Sequence, residues 1–126
     1  MTVPLQQAKA DLFKAMGHPM RIRVLELLCE REWSVGEMLT ELGAGASALS
    51  QQLGVLRGSG LVQARREASV VHYSLTTPRV ADLLAVGRQI RADLLALQVE
   101  ILTDLRAEDE AGAGPSDDAR PGRQDG

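Results

Sequence analysis

Apolar residues in the first third of the chain recur at helical spacing. Leu5 and Leu12 lie on one face of a predicted first helix, which stops at Gly17. A second helix is predicted from Pro19, a residue that suits a first helical turn, and its apolar stripe fades near Glu32. This part of the chain is therefore predicted to form two consecutive helices.

Two further short helices are predicted on either side of a glycine-containing turn. Ser34 and Glu37 fit a capping box, in which a hydroxyl and a carboxylate satisfy two free amides at a helix start. This third helix ends at Gly43, and a fourth, with its leucines on one side, covers residues 46–58. Two short helices joined by a tight turn at 42–45 are typical of a helix-turn-helix, whose second helix enters a DNA major groove.

The period of the pattern changes after the fourth helix. Residues 61–66 and 70–75 predict two short strands around loop 67–69, although the loop lacks the Gly or Asn favoured in tight hairpins. From Thr77 a long helix with a coiled-coil-like seam is predicted to about Ala107. The expected fold is mostly α with a small β-hairpin, a winged helix-turn-helix of order α-α-α-α-β-β-α.

Charge divides the chain into two parts. Residues 108–126 hold six acids and two bases, whereas the preceding 107 residues hold 11 acids and 12 bases. The terminal stretch also lacks Leu, Ile, Val and aromatic residues, so it cannot bury enough apolar surface to offset its ordering entropy. We therefore expect a winged-helix and dimerisation domain at 1–107 and a disordered acidic tail at 108–126.

Composition excludes several classes of function. Aromatic residues make up 2% of the chain, which disfavours binding of single strands or RNA by base stacking. Cys29 is the one cysteine, so a disulfide framework or a multi-cysteine zinc site within one chain is excluded, and its place on an apolar stripe indicates a buried side chain. No catalytic arrangement, signal peptide or membrane span is visible. We expect a cytoplasmic protein that is not an enzyme and does not bind membranes.

The fourth helix carries the residues expected to read DNA. Its outward side offers small hydroxyls and amides without an acid, a composition that suits contact with a duplex, and glutamine pairs bidentately with adenine. Surrounding arginines are expected to contact phosphates in a salt-sensitive manner. The candidate reading residues are Ser47, Ser50, Gln51 and Gln52, and the candidate phosphate contacts are Arg21, Arg23, Arg57, Arg65 and Arg66.

Five blocks of sequence together resemble a known family. They are Met16-Gly-His-Pro-Met-Arg-Ile-Arg-Val-Leu-Glu-Leu-Leu, Trp33-Ser-Val-Gly-Glu-Met-Leu, Ser47-Ala-Leu-Ser-Gln-Gln-Leu-Gly-Val-Leu-Arg, Gly60-Leu-Val-Gln-Ala-Arg-Arg-Glu and His72-Tyr-Ser-Leu. In this order they resemble the ArsR/SmtB family of bacterial winged-helix repressors over about residues 10–100. The resemblance implies a homodimer that binds an imperfect palindromic operator in double-stranded promoter DNA and releases it when an inducer, often a metal ion, binds.

The same resemblance implies that the first and last helices form the dimer interface. The long helix supports this expectation, because its leucines form a wider stripe than a monomer of this size needs. The expected interface residues are Leu5, Leu12, Val80, Leu83, Gly87, Ile90, Leu94, Leu97 and Ile101.

The metal sites of the family do not carry over to this chain. A Cys-x-Cys pair of many members would fall on Ser34 and Gly36, neither of which supplies a thiolate. The zinc ligands that other members carry on the last helix would fall on Thr77, Arg79, Ile90 and Asp93, of which Asp93 alone has a suitable side chain.

Three weak metal candidates are left, together with a site shared across a dimer. They are Asp93, His18, which is expected to cap a helix, and His72, which lies in a predicted strand. Nitrogen and oxygen ligands suit nickel, zinc or cobalt, and the composition together with the habits of the family suggests nickel.

An alternative function is a winged-helix module that binds a second regulatory protein. The nearly neutral body and Gly54 in the fourth helix favour it, whereas the wing arginines and the acid-free helix face favour DNA. Salt dependence separates the two functions, because binding through several phosphates weakens steeply as salt rises.

Overall fold

A computed structural model describes residues 4–119 of the chain, with side chains through residue 112. This part contains five helices and three strands, and none of its helices is long and apolar enough to cross a membrane. The elements are α1 (Leu5–Met16), α2 (Pro19–Glu30), β1 (Trp33–Ser34), α3 (Val35–Leu42), α4 (Ala46–Gly58), β2 (Val62–Glu67), β3 (Val70–Leu75) and α5 (Arg79–Ala119). The predicted winged helix-turn-helix is confirmed, with β1 as an addition.

Local side-chain contacts fix the starts of α2 and α3. The Nδ1 atom of His18 accepts a hydrogen bond of 3.1 Å from the backbone N–H of Met20. The capping box is present, because the Glu37 N–H donates to the Ser34 hydroxyl at 3.1 Å and the Ser34 N–H donates to the Glu37 carboxylate at 2.8 Å. Both helices therefore begin where the sequence predicts.

The three strands form one antiparallel sheet in the order β1-β3-β2. Within β1, Trp33 pairs with Tyr73 on β3, and a strand of two residues is too short to show any alternation in the sequence. The β2–β3 turn holds Ala68 at φ 56°, a left-handed conformation that disfavours side chains. A positive φ at Ala68 and not at Ser69 is the pattern of a type II′ hairpin turn.

The chain divides into two compact units, of which the first runs to Ala85 and the second begins at Val86. The first unit contains the hydrophobic core, to which every element of the unit contributes. Leu25, Met38, Leu49 and Leu56 are fully buried there. The buried set is Met16, Val24, Leu25, Leu27, Leu28, Trp33, Met38, Leu49, Leu53, Leu56, Leu61, Val62, Tyr73 and Val80.

One residue expected at a dimer interface belongs to this core. Val80 is 4% exposed, so the structure corrects the expectation that it faces a second copy, whereas Leu12 and Leu83 are half-buried against the core and stay predicted interface residues. The reason is position, because the first turns of α5 lie within the first unit. The exposed part of the predicted seam runs from Gly87 to Ile101.

The second unit consists of α5 from Val86 onward. The helix continues to Ala119 rather than ending near Ala107, because adding residues to an existing helix is far easier than starting a new one. Residues 108–119 of the expected tail are therefore helical here, and residues 120–126 lie outside the described residues. Disorder of 108–126 in solution stays a prediction.

Candidate nucleic-acid interface

The helix-turn-helix consists of α3 and α4 joined by residues 43–45. Gly43 adopts φ 62°, and its N–H donates to the Leu39 carbonyl at 3.0 Å. A glycine suits this left-handed end of α3, because a side chain is strained there. The turn lets α4 follow α3 directly at a new angle, as a recognition helix requires.

The helix α4 has a buried side and a polar side. Leu49, Leu53 and Leu56 are buried, whereas Ser47 and Gln51, one helical turn apart, are exposed on the opposite side. Ser50, Arg57 and the two glycines Gly54 and Gly58 are exposed as well, and a Cβ added at either glycine would meet nothing within 4 Å. The exposed side of α4 is thus free of acids, which suits a surface that meets the phosphates and base edges of DNA.

Gln52 differs from the other three predicted reading residues. It is half-buried on the flank of α4, and its Oε1 accepts a hydrogen bond of 2.7 Å from Nη1 of Arg21. Three of the four predicted reading residues are therefore exposed, namely Ser47, Ser50 and Gln51. The side chain of Gln52 is instead hydrogen-bonded to α2.

Arg21 is not placed as a free phosphate contact. Besides Gln52, its guanidinium donates from Nε to the Ala15 carbonyl at 2.7 Å and from Nη2 to the Lys14 carbonyl at 3.3 Å. Both carbonyls belong to the last turn of α1, where carbonyls have no N–H partner within the helix, and the Lys14 carbonyl also accepts from the Gly17 N–H at 3.2 Å. Arg21 therefore links α1, α2 and α4, a role that its position in the sequence did not reveal.

The two wing arginines lie on opposite faces of the hairpin, because consecutive residues of a strand alternate. Arg66 pairs with Val71, whereas Arg65 pairs with His72 on the other face. Nη2 of Arg65 lies 2.6 Å from Oε1 of Glu32, and its Nη1 lies 3.6 Å from Glu67. Sequence analysis missed Glu32 as a partner, because 33 residues separate it from Arg65 and no local pattern connects them.

The ion pair on the wing changes the charge available for DNA. The Arg65 guanidinium holds the pKa of Glu32 below its ordinary value, and Glu32 in turn raises the pKa of Arg65. Arg23 is paired as well, with Glu26 at 3.3 Å. Among the predicted phosphate contacts, Arg57 and Arg66 form no ion pair within residues 4–112, so these two are the bases best able to meet a phosphate.

The metal candidates do not come together in the described part of one chain. No group of three or more His, Cys, Asp or Glu residues there has the geometry to hold a metal ion. His18 caps α2, and His72 lies 4.0 Å from Glu32 and 3.7 Å from Glu67. Asp93 belongs to the second unit. The described residues of one chain therefore do not fit the metal centre that the family resemblance implies.

Cys29 has the environment of a structural thiol. Burial raises its pKa, and the neighbouring Glu26 and Glu30 carboxylates raise it further. A raised pKa keeps the thiol protonated, which disfavours nucleophilic or redox chemistry. Its side chain is half-buried, so the structure corrects the expectation of a buried cysteine.

The fold and the acid-free face of α4 define a DNA-binding winged-helix protein, and comparisons give its family. A model described as "Bacterial regulatory protein, arsR family" matches residues 18–64. The HTH-type transcriptional regulator Rv0081 of Mycobacterium tuberculosis is 52% identical over 105 residues, which cover 82% of this chain and 92% of Rv0081. The chain belongs to the ArsR family of DNA-binding transcriptional regulators and is not an enzyme.

Solved structures of relatives share the fold. The crystal structure of Rv0081 matches with a TM-score of 0.71 and 50% identity over 78% of this chain and 99% of that one. The homodimeric winged helix-turn-helix DNA-binding domain Mb0332 of Mycobacterium bovis matches with a TM-score of 0.65 and 31% identity over 72% and 84% of the chains. The biofilm growth-associated repressor of Xylella fastidiosa is 45% identical over 75 residues, which cover 60% of this chain and 66% of the repressor.

Proposed function

We propose that the chain is a homodimeric transcriptional repressor that binds an imperfect palindrome in promoter DNA, with one α4 helix in each of two major grooves. The observation that carries the proposal is the exposed polar side of α4, which presents hydroxyls and an amide without any carboxylate. A carboxylate there would be repelled by the phosphates, whereas these groups donate and accept hydrogen bonds at base edges. Repression is supported by the relative named as a repressor in X. fastidiosa.

The exposed residues of the interface are proposed to contact either base edges or phosphates. Gln51 keeps both its amide oxygen and its amide nitrogen available, as bidentate pairing with adenine requires. Ser47 and Ser50 contact phosphates or base edges, and Arg57 and Arg66 neutralise phosphates. In a two-fold dimer, the two half-sites are expected about 10 base pairs apart.

The dimer is proposed to form through α1 and α5. Exposed apolar side chains on both helices support it, since Leu5 is 64% exposed and Leu97 is 52% exposed. The solved homodimeric domain of M. bovis supports the same assembly state. The proposed contacts are Leu5, Leu12, Leu83, Gly87, Ile90, Leu94, Leu97 and Ile101.

Metal responsiveness is a separate hypothesis. Within the described residues one chain gathers no metal-binding group, so a response to nickel, zinc or cobalt requires donors from two subunits. The alternative partner, a second regulatory protein, has no support from the relatives.

Fluorescence anisotropy on a labelled duplex from the region upstream of its own gene tests the proposed function. We expect binding that weakens steeply with salt and is stronger than binding to a scrambled duplex. Gln51→Ala should reduce the preference for the specific duplex by about tenfold per half-site, or roughly 100-fold for the dimer, because each subunit loses one bidentate base contact. Arg66→Ala should weaken binding to both duplexes alike.

A matched control is Gln63→Ala, which removes an exposed glutamine from the wing rather than from α4. It should leave the preference unchanged. If Gln51→Ala and Gln63→Ala give the same preference, α4 does not read bases and the proposed interface is wrong. Adding nickel, zinc or cobalt to the same titration tests the metal hypothesis, and binding unchanged by all three metals contradicts it.

A further inference from the structure

The guanidinium of Arg21 fixes the orientation of the Gln52 amide. Arg21 donates to two carbonyls at the end of α1 and to Oε1 of Gln52. A guanidinium carries N–H donors and no acceptor, so only the oxygen of the glutamine amide can face it. The Nε2 group of Gln52 therefore points away from Arg21.

We propose that Arg21 is a positioning residue that sets the base preference of the protein through Gln52. This inference rests on the proposed reading of DNA by α4. With its oxygen held toward Arg21, Gln52 turns its two Nε2–H donors outward, so it favours acceptor edges such as guanine O6 and N7 or thymine O4. Bidentate pairing with adenine is disfavoured, because it requires the amide to present its acceptor and its donor side by side at the base edge. The adjacent Gln51, which is exposed, keeps both.

The same contacts separate positioning from phosphate binding. The side chain of Arg21 is half-buried and three of its nitrogens already donate to the protein. A positioning residue releases no counterions when DNA binds, so its removal leaves the salt dependence of binding unchanged. A phosphate contact contributes about 0.9 to the slope of log K against log salt, or roughly 1.8 per dimer.

Selection from a randomised duplex library tests the proposal with the full-length wild-type protein, Arg21→Met, Arg21→Lys, Gln52→Met and the double variant Arg21→Met/Gln52→Met. The salt slope of each is measured on the wild-type consensus duplex, with Arg66→Met as the reference for a lost phosphate contact. Thermal unfolding checks that each variant is folded. Arg21→Lys keeps the cation but cannot span the two α1 carbonyls and Gln52, so it remains informative if Arg21→Met does not fold.

We expect both Arg21 variants to admit adenine at one position of each half-site, because the freed Gln52 amide can then use both of its groups. Preference for guanine or thymine over adenine there should fall by about tenfold, with the salt slope of wild type. In the Gln52→Met background, Arg21→Met should change the base preference no further.

Other outcomes overturn the inference. A wild-type preference in Arg21→Lys together with a reduced salt slope in Arg21→Met would make Arg21 a phosphate contact. Two results would exclude Gln52 as the residue through which Arg21 acts. One is an unchanged base preference in Gln52→Met, and the other is an effect of Arg21→Met that persists in the double variant. If wild type itself selects no consensus, the proposed reading by α4 fails, which is a distinct result.

Discussion

The two units of the chain differ in the exposure of their apolar side chains. In the first unit, α2, α3, α4 and the sheet bury a leucine-rich core, with Leu25 at 0% exposure. In the second unit, Ile90, Leu94, Leu97 and Ile101 of α5 each remain about half exposed. A domain that can fold alone satisfies its own core, whereas a helix that exposes a continuous apolar seam needs another surface to cover it. The first unit thus contains the residues proposed to read DNA, and the second is the part on which assembly is expected to depend.

The largest expected effect is the loss of stability when a core side chain of the first unit is truncated. Leu25→Ala should lower the free energy of unfolding by about 2–5 kcal/mol, because it removes a fully buried side chain and leaves a cavity. Val70→Ala, at an exposed position of the hairpin, is the control and should cost far less. Urea unfolding followed by circular dichroism measures both. Equal costs would show that the first unit is not the independent core described above.

A charge in the seam of the second unit should act on assembly. Leu97→Glu places one carboxylate from each subunit at the proposed interface, and we expect the dimer dissociation constant to rise by at least about 100-fold, or roughly 3 kcal/mol. Thr103→Glu, on the other side of α5, is the matched control. Size-exclusion chromatography with light scattering measures the mass, and an unchanged dimer in Leu97→Glu would contradict the proposed seam.

A smaller effect is expected at the hairpin turn of the first unit. Ala68→Gly should stabilise the protein by about 1 kcal/mol, because glycine relieves the left-handed strain at this residue. Ser69→Gly is the control, since Ser69 does not share the positive φ and gains nothing from added freedom. Thermal unfolding should separate the two variants, and the oligomeric state should stay the same in both.

The smallest expected effect is on the stability of the protein in acid, through the carboxylate of Glu37. The backbone N–H of Ser34 and then Arg31 hold the pKa of Glu37 below its ordinary value of 4.5. A lowered pKa gives stability that is present above the unfolded-state pKa and is lost as the pH falls through the folded-state pKa. Below about pH 4.5, Glu37→Gln should therefore lose less stability than wild type as acid is added. Glu41→Gln, on the same helix but outside the capping box, should follow wild type in urea titrations at each pH.

Sequence patterns predicted the fold well where the signal is local. Apolar spacing, the capping box at Ser34 and Glu37, and the glycine turn after α3 each depend on residues within a few positions of one another. The pairing of β1 with β3 was missed, because two residues show no period. The end of α5 was placed too early, because composition alone does not show how far an existing helix continues.

The candidate site was less predictable, because side-chain partners can be distant in sequence. Arg21 and Gln52 are 31 residues apart, and Arg65 and Glu32 are 33 apart. Both arginines were assigned to phosphates on the basis of charge and place in the fold. Charge identifies an arginine as a potential DNA contact, but the N–H donors of its guanidinium can instead bind an acceptor within the protein.

Gly54 lies on the exposed side of α4, where an added methyl group would meet no other atom of the protein. Alanine at such a helix interior is more stable than glycine by about 1 kcal/mol. A selection for heat resistance alone would therefore be expected to replace this glycine, on the surface assigned here to DNA. In an engineering campaign, Gly54 is consequently a position where thermostability and regulatory performance should be scored side by side, since a stabilised variant need not remain a working switch.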